Sequence, residues 1–179
     1  MKADRILVPL DGSRLAETAL PKAVELLSGA RGATLILLRA AEAPTLPGID
    51  RIEAQAAVIR EAQSYLAAVA ERLSEQGVVR IVRSVWYSDA ANAIVEAARV
   101  RRVDVIVMGT HRGGGLRRAV RGSVAETVLR RTRTPIVLVS AAGTAEVATR
   151  DNVDAPENGR RASPHMISSA GPVDRPTSR

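Results

Sequence analysis

Pro9-Leu10-Asp11-Gly12-Ser13 follows directly on the apolar run that starts at Ile6. A carboxylate held at that place can accept hydrogen bonds from a base or a sugar, or hold a metal through water; equally, it can cap the helix that follows. A second cluster, Gly109-Thr110-His111-Arg112-Gly113-Gly114-Gly115, is followed by Gly122-Ser123. Glycines let a backbone approach phosphate oxygens closely, and free N–H groups at a helix start favour an anion. Ser123 can donate to a phosphate through Oγ, cap the helix, or do both. A flexible solvent loop is the competing reading, and the position between a buried strand and a helix N-terminus argues against it.

Other chemistries are excluded by residue type. The chain has no cysteine, which removes disulfides, iron–sulfur clusters and thiolate zinc sites, and histidine occurs only at positions 111 and 165. No G-x-x-x-x-G-K-[ST] is present, and G-x-G-x-x-G fails because position 118 is Arg. Ser13 and Ser123 have no histidine near them in sequence except His111, so hydrolase chemistry has no support.

These clusters need a scaffold. The 179 residues suit one domain of roughly 100–200 residues, and at 46% hydrophobic they can fill a core. Aromatics are 2%, so that core is Val, Ile, Leu and Ala. No signal-peptide h-region and no apolar stretch near the roughly 20 residues of a membrane span is evident, which predicts a soluble cytoplasmic protein. The +7 charge falls entirely within residues 1–140. Seven arginines between Arg112 and Arg133 face one acid, Glu126, and such a field attracts anions. Nucleic acid is disfavoured, because Tyr65, Trp86 and Tyr87 are the only aromatics available for stacking.

Strands are predicted over 5–10, 33–38, 78–85, 103–108 and 135–139. Helices are predicted over 16–27, bent at Pro21, then over 52–73, from Ser88-Asp89 onward, and over 123–131. In the longest, Ile52, Ile59, Leu66 and Leu73 fall seven apart. Strands without polar alternation, joined one to the next by helices, make an open doubly wound parallel α/β sheet with helices on both faces. Ligands bind such sheets at the carboxyl ends of strands where strand order reverses. Residues 141–179 lack a periodic apolar face and read as a disordered tail.

The segments Ile6-Leu7-Val8-Pro9-Leu10-Asp11-Gly12-Ser13 and Asp104-Val105-Ile106-Val107-Met108-Gly109-Thr110-His111 resemble those of the universal stress proteins of the UspA superfamily. Gly114-Gly115-Leu116, Gly122-Ser123-Val124-Ala125-Glu126-Thr127-Val128-Leu129-Arg130 and Thr134-Pro135-Ile136-Val137-Leu138-Val139 extend the resemblance over residues 4–140. It implies a Rossmann-like sheet of five parallel strands in the order 3-2-1-4-5. It also implies a homodimer paired through the fifth strand, Pro135–Val139. The ATP-binding branch carries G-x2-G-x9-G-[ST], which maps onto Gly109, Gly122 and Ser123. The second glycine falls on Arg112, with Gly113 beside it. Arg112 either obstructs the close backbone approach or supplies a cation; Gly113 can take a left-handed position with a small loop shift.

By this resemblance Pro9, Asp11 and Ala40 line the adenine and ribose side. Met108 and Gly109 underlie the sugar and phosphates, and Gly122, Ser123 and Val124 bind the phosphate end. The expected ligand is ATP or a related adenine nucleotide, with or without Mg2+. The expected protein is a nucleotide-responsive regulator of stress with protein partners the sequence does not name. No general base or arginine finger is identifiable, so ATP hydrolysis is at most slow. The alternative is a dimeric scaffold without nucleotide, acting through protein contacts.

Overall fold

Strands made of Val, Ile and Leu at successive positions have no face left for water, so both faces must be covered. The computed structural model describes residues 3–27, 32–42, 50–110 and 124–149. Along them run β1 (Arg5–Pro9), α1 (Arg14–Glu17), α2 (Ala19–Leu27), β2 (Thr34–Ala40), α3 (Arg51–Glu75) and β3 (Ile81–Trp86). α4 (Ala90–Val100), β4 (Val105–Thr110), α5 (Val124–Arg131), β5 (Ile136–Ser140) and β6 (Ala145–Ala148) follow. The sheet order is β3-β2-β1-β4-β5-β6, with β1 to β5 parallel. The doubly wound α/β expectation holds.

Alternate strand residues feed two cores. Ile6, Val8, Leu35, Leu37, Val105 and Val107 pack with α2 and with Leu66, Val69 and Leu73 of α3. Leu7, Ile36, Leu38, Ile106 and Met108 pack on the other face with Ile94 of α4 and Val128 of α5.

Four expectations are corrected. The first helix is two pieces broken at Thr18, three residues before Pro21. Proline lacks the N–H that would bond the Glu17 carbonyl and its ring crowds that carbonyl, so the interruption falls a turn upstream. Thr18 closes α1 instead, its backbone N–H donating to the Leu15 carbonyl at 3.1 Å and its Oγ1 at 2.6 Å. Pro21 then sits in the first turn of α2, where it is tolerated.

In α3, only Ala62, Leu66, Val69 and Leu73 are buried, and Ile52 is 80% exposed. A 25-residue helix is about 37 Å long, against about 20 Å for the strands beneath, so its first turns overhang. β4 runs to Thr110, placing Gly109 inside the strand.

The fourth correction concerns the tail. The sheet has a sixth strand, β6, antiparallel to β5, so the ordered chain passes Ser140. Ser140-Ala141-Ala142-Gly143-Thr144 makes the hairpin. The Ser140 N–H donates to the Thr144 carbonyl and the Gly143 N–H to the Ser140 carbonyl, both at 2.8 Å, with Gly143 at φ +81°. Ala148 is fully buried against the α4 side. Residues 150–179 lie outside the described residues. β5 thus carries β4 on one edge and β6 on the other, and pairing two copies through Pro135–Val139 meets an occupied edge.

The ends of α3 and α4 share one design. Gly77 (φ +90°) and Arg102 (φ 50°) each occupy the left-handed position, with Val78 bonding back to Leu73 and Val103 to Ala98. Arginine in that conformation is strained where glycine is not. Arg102→Gly is therefore expected to stabilise the domain by about 0.5–1 kcal/mol, read as a raised urea midpoint.

Candidate functional site

β1 and β4 lie side by side, Ile6 against Val105 and Leu7 against Ile106. Their following helices pack on opposite faces, so a crevice opens above their carboxyl ends. It is a cleft of about 360 Å3, within the range of small-molecule sites. Leu38, Ala40 and Met108 come from the strand ends, Ala90 and Ile94 from α4, and Val124 and Ala125 from α5. Pro9, Asp11, Ser13, Leu15 and Ala16 form the opposite rim.

The rim is built by hydrogen bonding within the β1–α1 turn. Ser13, in extended conformation, caps α1 by accepting from the Ala16 N–H through Oγ at 3.1 Å. Asp11 does not cap the helix; its Oδ1 accepts from the Ser13 N–H at 2.8 Å across Gly12, whose φ is +90°. Partial burial raises the Asp11 carboxyl, but hydrogen bonds from Ser13 and the charge of Arg39 outweigh it and hold it below 3.8. Asp11 is ionised at neutral pH. Arg39 is itself held by Glu61 Oε1 at 2.8 Å and stacks over Tyr65, 4.9 Å from the ring centre. Tyr65 in turn donates to Glu17 Oε1 at 2.9 Å, and Arg72 donates to Glu17 Oε2 at 2.8 Å.

Gly109 has a steric role. A Cβ built there would stand 2.1 Å from the Leu15 carbonyl oxygen, so α1 rests directly on the β4 backbone. That contact brings the Asp11–Ser13 turn over the end of β4.

The structure gathers Pro9, Asp11, Ala40, Met108, Gly109 and Val124 around one cleft. Arg112, Gly113, Gly122 and Ser123 lie outside the described residues. Sequence reasoning placed Ser13 in the turn after β1 but missed Leu15 and Ala16 as rim, and Ala90, Ile94 and Ala125 as wall. The last three share the apolar periodicity of core positions, so nothing in the pattern set them apart. Arg130 is tied to Glu126 and Arg131 to Asn92, both at 2.7 Å, so these two basic groups are engaged within the fold. Among the described residues no group of three His, Cys, Asp or Glu could hold a metal, and no helix is long and apolar enough to cross a membrane.

A doubly wound sheet, parallel through β1 to β5, with a cleft at its switch point defines a Rossmann-like α/β domain. The model of the universal stress protein family matches residues 2–140, and the chain belongs to that family. It is 28% identical over 137 residues to a universal stress protein of Methanocaldococcus jannaschii, covering 75% of this chain and 81% of that one. A Mycobacterium tuberculosis universal stress protein is 32% identical over 136 residues, 74% of this chain but 44% of the longer relative. A universal stress protein family structure from Burkholderia pseudomallei is 32% identical with a TM-score of 0.62, covering 76% of this chain and 95% of that one. A family structure from Arabidopsis thaliana, solved with AMP bound, shares the fold at 16% identity and a TM-score of 0.56, over 76% and 90% of the two chains.

Proposed function

We propose that this universal stress protein binds an adenine nucleotide in the cleft between the ends of β1 and β4 and serves as a nucleotide-responsive stress regulator. The observation that carries the reading is the Asp11 carboxylate at the rim of a mostly apolar cleft of about 360 Å3. That combination suits a nucleoside: an apolar slot for the base and an acceptor for ribose hydroxyls. The Arabidopsis thaliana structure supports it as a family protein of the same fold with AMP bound. Where the nucleotide is ATP, Gly122, Ser123 and the backbone leading into α5 are placed in sequence to meet its phosphates, with Mg2+ carried by the phosphates. Bound nucleotide supplies the regulatory signal, and the chain's residues bind and orient it.

The test is calorimetric titration with AMP and with ATP. Saturable one-to-one binding of at least one is expected in the wild type. Ala40 lines the cleft at the end of β2, so Ala40→Phe should fill the slot and weaken binding at least about tenfold, with thermal unfolding confirming the fold. Absence of binding to the wild type would remove the reading.

A further inference from the structure

Arg5 and Arg101 border a groove beside edge strand β3, on the α4 side of the sheet, and neither forms an ion pair among the described residues. α4 passes from β3 to β4 across β2 and leaves part of β3 uncovered. The groove of about 510 Å3 is bounded by Ile36, Val82, Trp86 and Val100, together with the two arginines and Thr34. It shares no lining residue with the cleft at Asp11.

The polar groups there are poorly matched. Ser84, 5% exposed, accepts through Oγ from Trp86 Nε1 at 3.0 Å and from Arg101 Nη2 at a long 3.3 Å. Arg101 Nε is buried without a hydrogen-bond partner. Arg5 is committed differently, its Nη1 donating to the Arg101 carbonyl at 2.7 Å and so pinning the end of α4. A guanidinium among apolar side chains with an unmet N–H is stabilised by any acceptor that reaches it, most of all by a carboxylate matching its fork.

We propose that this groove binds a small organic monocarboxylate with an aromatic or branched apolar body. Its carboxylate pairs with Arg101 Nε and Nη2, replacing the long bond to Ser84 as the guanidinium turns outward. Its body lies against Trp86, Val82 and Val100. The groove's volume suits a small molecule. Arg101 is the guanidinium there with a buried, unmet N–H and selects one acidic group, and the four apolar side chains disfavour a bare inorganic anion as the ligand.

Trp86 is the single tryptophan of the chain, so its emission reports on this groove directly. The probes are 4-phenylbutyrate and its uncharged amide. A saturable change is expected with the acid at a Kd of about 1 mM or tighter, with the amide at least about tenfold weaker. Arg101→Gln should weaken the acid about tenfold and leave the amide unchanged, whereas Arg102→Gln should alter neither. Val100 is 60% exposed, so Val100→Glu is a second variant that should fold. Its carboxylate competes for Arg101 and should also weaken the acid. No saturable change in the wild type, equal affinity for acid and amide, or an unaltered acid affinity in both groove variants would overturn the proposal.

Discussion

Gly109→Ala is expected to destabilise the domain by about 2–3 kcal/mol and to weaken ligand binding with it. The added methyl would stand 2.1 Å from the Leu15 carbonyl oxygen and 2.9 Å from its carbon, closer than any real contact. Both are backbone atoms, so no side chain can swing aside. Relief requires α1 to lift from β4. α1 is only four residues long and is held by the Ser13 cap and the closing bonds of Thr18, so lifting it disturbs the Asp11–Ser13 turn as well. Urea unfolding gives the stability change, and a midpoint equal to that of the wild type would mean that α1 does not rest on β4. The alternate face gives an internal control: Met108 points into the cleft and tolerates exchange for leucine at under about 1.5 kcal/mol.

Asp11→Ala is expected to weaken adenine nucleotide binding about 10- to 100-fold, the range for a lost hydrogen bond to a charged group. The substitution also removes the acceptor for the Ser13 N–H, so Asp11→Asn separates the two effects. Asparagine keeps a carbonyl oxygen for Ser13 and loses the charge, and should fall between alanine and wild type. The pH dependence has a definite sign. The Asp11 carboxyl is held below its ordinary value of 3.8, so what it contributes to stability is present above that value and is lost as pH falls through the folded-state pKa. Its share of nucleotide affinity should therefore be flat from about pH 8 to about pH 5. A titrating step in that window, absent from Asp11→Asn, would show that the carboxylate is not held ionised.

Most of the sheet was legible because each buried strand is a continuous Val/Ile/Leu run, a pattern that survives any context. The order β3-β2-β1-β4-β5 came from the family resemblance, and the structure shows it. What escaped was local. β6 has only Ala148 buried, so Ala145-Glu146-Val147-Ala148 offered no strong alternation, and the hairpin signal lay in Gly143 alone. The break at Thr18 was misplaced because a proline disturbs the residues before it more than its own position. Ile52 fitted the helical period perfectly and is nevertheless exposed, since period reports a face and not whether anything covers it.

For the site, Asp11 was legible from its place after β1, but its alternative role as helix cap belongs to Ser13, two residues on. Gly109 was singled out for a phosphate it could approach; its visible constraint is the Leu15 carbonyl, a contact between elements distant in sequence. Residues such as Ala90 and Ile94 line the cleft only because α4 begins there.

The most direct measurement is a crystal structure of the protein soaked with AMP and, separately, with ATP. The account predicts density for the base against Ala40 and Met108, with ribose hydroxyls within hydrogen-bond distance of the Asp11 carboxylate. Nucleotide bound elsewhere, or an empty cleft in crystals whose packing leaves it open, would contradict it.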